Sequence, residues 1–163
     1  EGTGRMAIEV LLNYSSIKGT FPSRFKGYED FDWRDQYVFS LGVQYKPIPK
    51  LSLRTGVNYG RNPVKEHDGL NGAGTPGIQG KTTSTFGYEY LRIIGFPAVV
   101  ETHLTVGIGY DFREKFAVNL GYTHGFEKKI SETGVNLMGT GANATLGAKL
   151  QENSVEVGLS WRF

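Results

Sequence analysis

The sequence predicts an all-β protein, and three observations support that fold class. Apolar residues occupy every second position along several segments, which is the period of a strand with two different faces. Glycine is abundant, at 23 of 163 residues, and aromatic residues make up 13% of the chain. The three-to-four-residue spacing of an amphipathic helix is nearly absent, and there is no run of about 18 apolar residues, the length of a transmembrane helix.

The clearest of these segments is a predicted hairpin over residues 33–59. Its first arm, residues 37–45, alternates apolar side chains with small or polar ones, and the return arm, residues 51–59, does the same. The turn between them contains Pro47 and Pro49, which cannot donate to a strand ladder. Both arms therefore have one apolar and one polar face.

Four further strands are predicted by the same alternation. They cover residues 6–14, 100–112, 116–126 and 155–163, which brings the total to six. Aromatic residues mark the ends of the apolar faces, as Tyr37 and Tyr45 do in the first arm of the hairpin. At about 3.3 Å per residue and a tilt of about 40°, these two tyrosines lie about 20 Å apart along a membrane normal. The pattern predicts lipid-facing bands with aromatic borders, and the mean hydropathy of −0.31 is compatible because alternating faces average out.

The connections between the predicted strands alternate in length. Short turns fall at residues 46–50 and 111–115, whereas residues 18–34, 60–98 and 128–153 form long connections at the other ends. This asymmetry is typical of outer-membrane barrels with periplasmic turns and external loops, so we predict an antiparallel transmembrane β-barrel in the bacterial outer membrane. Six strands do not close a barrel. Either further strands lie outside this sequence, or residues 82–90 and 143–150 supply two more and close an eight-stranded barrel.

Several motifs along residues 5–163 also carry a family resemblance. They are WxD at 33–35, LGVQY at 41–45, LSLRTGV at 51–57, NPV at 62–64, FPAVVExHLTxGxGY at 96–110, YxHG at 122–125 and the terminal Phe163. In order and spacing they resemble the C-terminal part of the FadL/TodX family of outer-membrane hydrocarbon transporters. The resemblance implies a barrel of about 14 strands. Residues 1–163 would be a single C-terminal portion of it and would supply the last six strands. The N-terminal plug and the earlier strands would then lie outside this sequence.

The resemblance also implies a function and a set of partners. The function is passive uptake of long-chain fatty acids or other hydrophobic compounds through a plugged barrel, without a cofactor. The partners are outer-membrane lipid, the hydrophobic ligand, the missing N-terminal part of the barrel and, through Phe163, the barrel-assembly machinery. The alternative is a small structural or adhesive barrel whose external loops bind partners.

Candidate ligand contacts lie on the predicted inward face and in one apolar loop. Arg54, Glu101 and His103 share the inward face with many glycines, and Arg54 is the candidate partner of an anionic head group, with His103 beside it. The competing interpretation is that these side chains pair with each other or with a plug. In the loop, Ile93, Ile94 and Phe96 are candidate contacts for a hydrophobic ligand, or else they begin the next strand or fold back under the loops.

Other functions find little support in the composition. A net charge of +2 is too small to argue for nucleic-acid binding, and the absence of cysteine excludes disulfides and thiolate metal sites. The three histidines have no metal-ligand spacing and no nucleophile lies in a catalytic motif, so we predict neither a metal site nor an enzyme. An acidic cluster in the first long connection is either a solvated loop or a divalent-cation site. It consists of Glu29, Asp30, Asp32 and Asp35.

Overall fold

The computed structural model describes residues 5–13, 33–69, 77–78, 81–97, 99–113, 115–134 and 141–161. The elements in chain order are β1 (Arg5–Asn13), β2 (Val38–Ile48), β3 (Leu51–Gly60), β4 (Gly77–Ile78), β5 (Lys81–Thr82), the helix α1 (Thr85–Tyr90), a π-helical turn (Leu91–Gly95), β6 (Thr102–Arg113), β7 (Phe116–Gly134) and β8 (Ala144–Trp161). Six strands form one antiparallel sheet in the order β1-β2-β3-β6-β7-β8, and β4 pairs with β5. The predicted all-β class is confirmed.

The register of the sheet places apolar residues opposite apolar residues on neighbouring strands. Phe39 lies opposite Tyr59, Leu41 opposite Val57, and Val57 in turn opposite Leu104. Because residues directly opposite each other in a sheet point to the same side, the strands share one apolar face and one glycine-rich face. The apolar face carries Phe39, Leu41, Tyr45, Leu53, Val57, Tyr59, Leu104, Val106, Ile108, Tyr110, Leu120, Tyr122, Val155, Val157, Leu159 and Trp161.

The apolar face is exposed along its whole width. Phe39 is 53% exposed, Val106 46% and Leu159 70%. The buried apolar side chains among the described residues lie elsewhere, at Val64, Tyr88, Ile93, Val99, Ile130 and Leu146. In the described part of the chain, the apolar face is therefore not the core of the protein.

Aromatic rings follow the apolar face at the end of the sheet where the short turns lie. Tyr110 and Phe112 are 4.9 Å apart between ring centroids, Phe112 and Phe116 are 5.9 Å apart, and Phe116 and Trp161 are 5.6 Å apart. These contacts form a continuous aromatic row across three strands. At the opposite end of the face, Phe126 packs edge-on against His124 at 4.8 Å.

The last hairpin is much longer than the sequence predicts. Residues 128–153 were expected to be a loop, but β7 continues to Gly134 and β8 begins at Ala144, so that prediction is wrong. A β-bulge between Gly125 and Lys128 reverses which residues point to which side. Beyond it, Lys129, Ser131 and Thr133 continue the side of the apolar face. The alternation persists there, but it no longer presents an apolar stripe on that side.

The two segments that were expected to supply additional strands for an eight-stranded barrel do not form separate strands in the described residues. Residues 85–90 form α1 instead of a strand, and residues 144–150 belong to β8 instead of forming a strand of their own. Ser84 caps the helix by accepting a hydrogen bond from the Gly87 amide at 3.1 Å. The rings of Phe86 and Tyr90, four positions apart and so on the same face of the helix, have centroids 6.0 Å apart.

The sheet does not close on itself within the described residues, and β1 and β8 are its edges. Residues 151–161 of β8 are exposed on both faces. Of the helices in the described ranges, none is long and apolar enough to span a membrane.

The core of the described protein lies beyond the ends of β3 and β6. We call residues 61–69, 83–97 and 99–100 the cap, and residues 127–134 with 144–151 the hairpin extension. Val64, Ile93 and Val99 of the cap pack against Ile130 of the hairpin extension, with Trp33 and Leu150 at the border. The bulge makes this possible, because it turns Ile130 toward the side on which the cap lies.

Candidate functional site

The glycine-rich face forms a shallow trough. Gly42 lies opposite Gly56, and Gly107 lies opposite Gly121. A Cβ atom on Gly56 would lie 3.2 Å from the Leu41 carbonyl oxygen, so the backbone is closely approached there. An open groove of about 460 Å³ runs along this face and includes Arg54, Asn58 and Thr105 in its lining.

Arg54 is held in the trough by two neutral side chains. Its Nε donates to Gln44 Oε1 at 2.7 Å on β2, and its Nη1 donates to Asn119 Oδ1 at 2.8 Å on β7. A Cβ on Gly109 would lie 2.5 Å from Asn119 Oδ1 and 3.1 Å from Arg54 Nη1, so this glycine leaves room for the pair. No carboxylate among the described residues forms an ion pair with Arg54.

Glu101 and His103 share a side with Arg54 but lie away from it. Arg54 is level with Gly107 and His103 is level with Asn58, a separation of four residues or about 13 Å along the strands. Glu101 accepts from Lys128 Nζ at 2.5 Å and from the Asn62 amide at 2.8 Å. His103 Nε2 is 3.6 Å from Glu152 Oε2. The structure thus separates Arg54 from His103, which was expected beside it, and from Glu101 on the same face.

The three apolar candidates of the loop are divided between two environments. Ile93 is fully buried in the core of the cap, whereas Ile94 and Phe96 are exposed. Tyr90, one turn earlier, is exposed as well. Ile94 and Phe96 are accessible to a ligand, and Ile93 stabilises the cap. Of the acidic cluster, Asp35 is exposed, while Glu29, Asp30 and Asp32, like Phe163, lie outside the described residues.

A buried polar cluster joins the cap to the hairpin extension, and it was not anticipated from the sequence. We call His67, Glu89, Arg92 and Glu132 the polar cluster. Glu89 and Arg92 are fully buried and Glu132 is 2% exposed. Arg92 Nη1 donates to Glu89 Oε2, and Arg92 Nη2 donates to the Lys65 carbonyl oxygen at 2.9 Å. The guanidinium also lies over the Tyr88 ring, 5.4 Å from its centroid.

Glu132 is the contribution of the hairpin extension to the polar cluster. Its Oε2 accepts from the His67 amide at 2.8 Å, and His67 Nδ1 lies 2.9 Å from Glu89 Oε1. Glu132 Oε1 is buried, and no hydrogen-bond partner for it is found among the described residues. Beside it, the Thr133 amide donates to Asp68 Oδ1 at 2.8 Å. Contacts from one loop, one helical segment and one strand therefore converge on this cluster.

The pKa values of the two carboxyl groups of the cluster shift in opposite directions. Burial, the hydrogen bond to Glu89 and the charge of Glu89 raise the pKa of Glu132 to about 7. Burial acts in the same direction on Glu89. There, however, the hydrogen bonds with His67 and Glu132 and the charge of Arg92 outweigh it and lower the pKa of Glu89. One carboxyl group favours the protonated form and the other favours the ionised form.

Ligand-type atoms of His67, Glu89 and Glu132 lie within 4.8 Å of one another, close enough for one metal ion to reach all three. Arg92, however, donates to Glu89, and its Nη1 lies 2.7 Å from His67 Nδ1. The guanidinium thus already supplies a positive charge at the atoms that a metal ion would need. These side chains fit a hydrogen-bonded ionic cluster better than a metal centre.

No protein-family model, curated protein or solved structure matches this chain.

Proposed function

We propose that this chain is part of the wall of an outer-membrane β-barrel that takes up hydrophobic compounds, such as long-chain fatty acids, by passive diffusion. The observation that carries the proposal is the pairing of two unlike faces in one sheet. One face is apolar, exposed and bordered by aromatic rings, and the other is polar and rich in glycine. Lipid outside and a wet lumen inside are the surroundings that suit these faces.

The height of the apolar face supports insertion in a bilayer. On β7 the face runs from Phe116 to Phe126, which is about 33 Å of strand and about 25 Å along the normal at a tilt of about 40°. That matches the apolar band of a membrane barrel. Beyond Phe126 the bulge brings Lys129, Ser131 and Thr133 to the outside, so the face becomes polar where the bilayer would end.

The open edges of the sheet support a larger barrel. An unpaired strand edge inside lipid leaves backbone groups without partners, at a cost of several kcal/mol for each group. β1 and β8 both have such edges in the described part of the chain. We therefore infer that further strands of the same protein pair with β1 and β8, as the resemblance to the FadL/TodX family implies.

The lumen side offers a place for an amphiphilic anion. Arg54 is oriented by two amide oxygens and has no carboxylate partner among the described residues, so a ligand carboxylate gains a charge-assisted hydrogen bond there. Gly56, Gly107 and Gly121 line the groove next to it and leave room for an alkyl chain. The exposed Ile94 and Phe96 on the cap suit a first contact with the apolar part of such a ligand.

The test is uptake of a labelled long-chain fatty acid by cells that carry the full-length protein, compared with cells that lack it. We expect uptake to depend on the protein and to fall several-fold with Arg54→Ala. Arg113→Ala is the matched control, because Arg113 is an exposed arginine next to a short turn, and it should leave uptake unchanged. Uptake that is the same with and without the protein would overturn the proposal and favour an adhesive barrel.

A further inference from the structure

The polar cluster poses a charge problem that its protein contacts leave open. If Glu89 and Glu132 are both ionised, two carboxylates face a single guanidinium, that of Arg92, in a site closed to solvent. His67 Nδ1 faces Arg92 Nη1 at 2.7 Å, and because a guanidinium only donates, Nδ1 is the acceptor there and His67 adds no positive charge. A net buried charge is costly, so the cluster needs one more positive charge. The charged groups next to the cluster on the hairpin extension and the loop have other partners among the described residues. Lys128 pairs with Glu101, and Asp68 accepts from the Thr133 amide.

The buried Oε1 atom of Glu132 indicates where the additional proton is bound. Glu132 Oε1 has no hydrogen-bond partner as an acceptor among the described residues. As a carboxylic acid, Glu132 becomes a donor, and a carboxylate oxygen of Glu89 lies within 4.8 Å of one of its own oxygens. One added proton thus satisfies the buried oxygen and balances the charge of the cluster.

We propose that Glu132 and Glu89 share a single proton, and that this proton fastens the cap to the hairpin extension. Without it, two carboxylates repel each other across the contact between His67, the helical segment and β7. The cap then loosens without any change in the sheet. Release of the proton would expose Ile93 and Val99 next to the already exposed Ile94 and Phe96, so the proton controls how much apolar surface the cap presents.

The direction of the pH effect follows from the two carboxyl groups. The pKa of Glu132 rises from its ordinary value of 4.5 to about 7, so its stabilising contribution is complete below 4.5 and is lost as pH rises through about 7. The pKa of Glu89 is lowered, so its contribution is lost only as pH falls below 4.5. The contribution of Glu132 is lost only above pH 4.5 and that of Glu89 only below it, so the two pH ranges do not overlap. The cap is therefore tightest at mildly acidic pH and looser above neutrality.

Hydrogen exchange of the full-length protein in detergent, read peptide by peptide, tests the proposal. After correction for the intrinsic effect of pH, we expect cap peptides to exchange at least about tenfold faster at about pH 8.5 than at about pH 5.5. Peptides from β6 should not change. Glu132→Gln should remove the pH dependence of the cap, because a neutral amide replaces the titrating carboxyl. Glu127→Gln is the control, as Glu127 is an exposed glutamate of the same strand, paired with Lys149.

Infrared spectroscopy of the wild-type protein gives an independent reading of the proton. At about pH 6, ordinary carboxyl groups are ionised, so a protonated carboxylic acid band must come from a group with a raised pKa. We expect that band at about pH 6, its loss at about pH 9, and its absence in Glu132→Gln. The proposal is overturned if the wild type lacks the band at about pH 6. It is equally overturned if cap exchange shows no pH dependence, or if Glu132→Gln keeps it.

Discussion

Arg54 illustrates how much a single residue depends on its neighbours for its role. A guanidinium between two amide oxygens keeps its full charge, whereas one paired with a carboxylate is largely neutralised. Gln44 and Asn119 therefore orient Arg54 without quenching it. Gly109 is the third requirement, since any side chain there would meet Asn119.

Gly109→Ala tests this arrangement. The added methyl would lie 2.5 Å from Asn119 Oδ1, so Asn119 must rotate away and its hydrogen bond to Arg54 is lost. We expect a several-fold weaker affinity for a long-chain fatty acid, measured by binding of a fluorescent analogue to the full-length protein. Gly42→Ala is the control, because its nearest neighbour would be 3.9 Å away and affinity should not change. Equal affinities for the two variants would contradict the role of Gly109.

The buried residues of the polar cluster show the limit of single-residue reasoning. His67 and Glu132 are 65 positions apart, and no local pattern connects them. Glu89 and Arg92, three positions apart, are neighbours on a helix but lie on opposite faces of a strand, and a strand is what residues 82–90 were expected to form in the eight-stranded alternative. The buried cluster becomes visible only once the cap and the hairpin extension are placed together.

At the level of elements, alternation predicted the strands well because a period of two is a local property. β2 and β3 begin and end within a few residues of the predicted segments, and β6 does so too. The bulge between Gly125 and Lys128 was not predicted, because its extra residue shifts the phase of the alternation, so the residues beyond it no longer match the pattern of the strand before it. Because of this shift the hairpin extension was not predicted, and Ile130 and Glu132 were expected in a loop instead of on β7.

The cap depends on the hairpin extension for its core. Ile130 is 1% exposed and packs with Val64, Ile93 and Val99. Ile130→Ala therefore leaves a cavity and lowers the stability of the cap by about 2–4 kcal/mol. We expect hydrogen exchange in cap peptides to accelerate while β2, β3 and β6 stay protected. Thr133→Ala, at an exposed position of the same strand, should have little effect. Uniform acceleration throughout the protein would show that cap and sheet unfold as one unit.

For the whole molecule, the decisive question is what covers the apolar face. If lipid does, an arginine near the middle of that face costs about 2–4 kcal/mol, and one on the glycine-rich face of the same strand costs little. Val157→Arg and Ser154→Arg form such a pair on β8, since Val157 is level with Leu120 and Ser154 is level with Thr123.

We expect Val157→Arg to lower the free energy of unfolding in lipid vesicles by about 2–4 kcal/mol, measured by guanidinium titration of the full-length protein. Ser154→Arg should stay close to wild type. Two variants of equal stability would indicate that water, not lipid, borders the face.

The chain order of the cap has a consequence for assembly. Val64, Ile93 and Val99 precede β6, but the side chain that completes their cluster, Ile130, belongs to β7. The apolar cluster of the cap therefore cannot be completed until β7 and β8 have paired. The cap is completed after the β7–β8 hairpin has formed, and any slowing of that hairpin would leave the cap open to proteases.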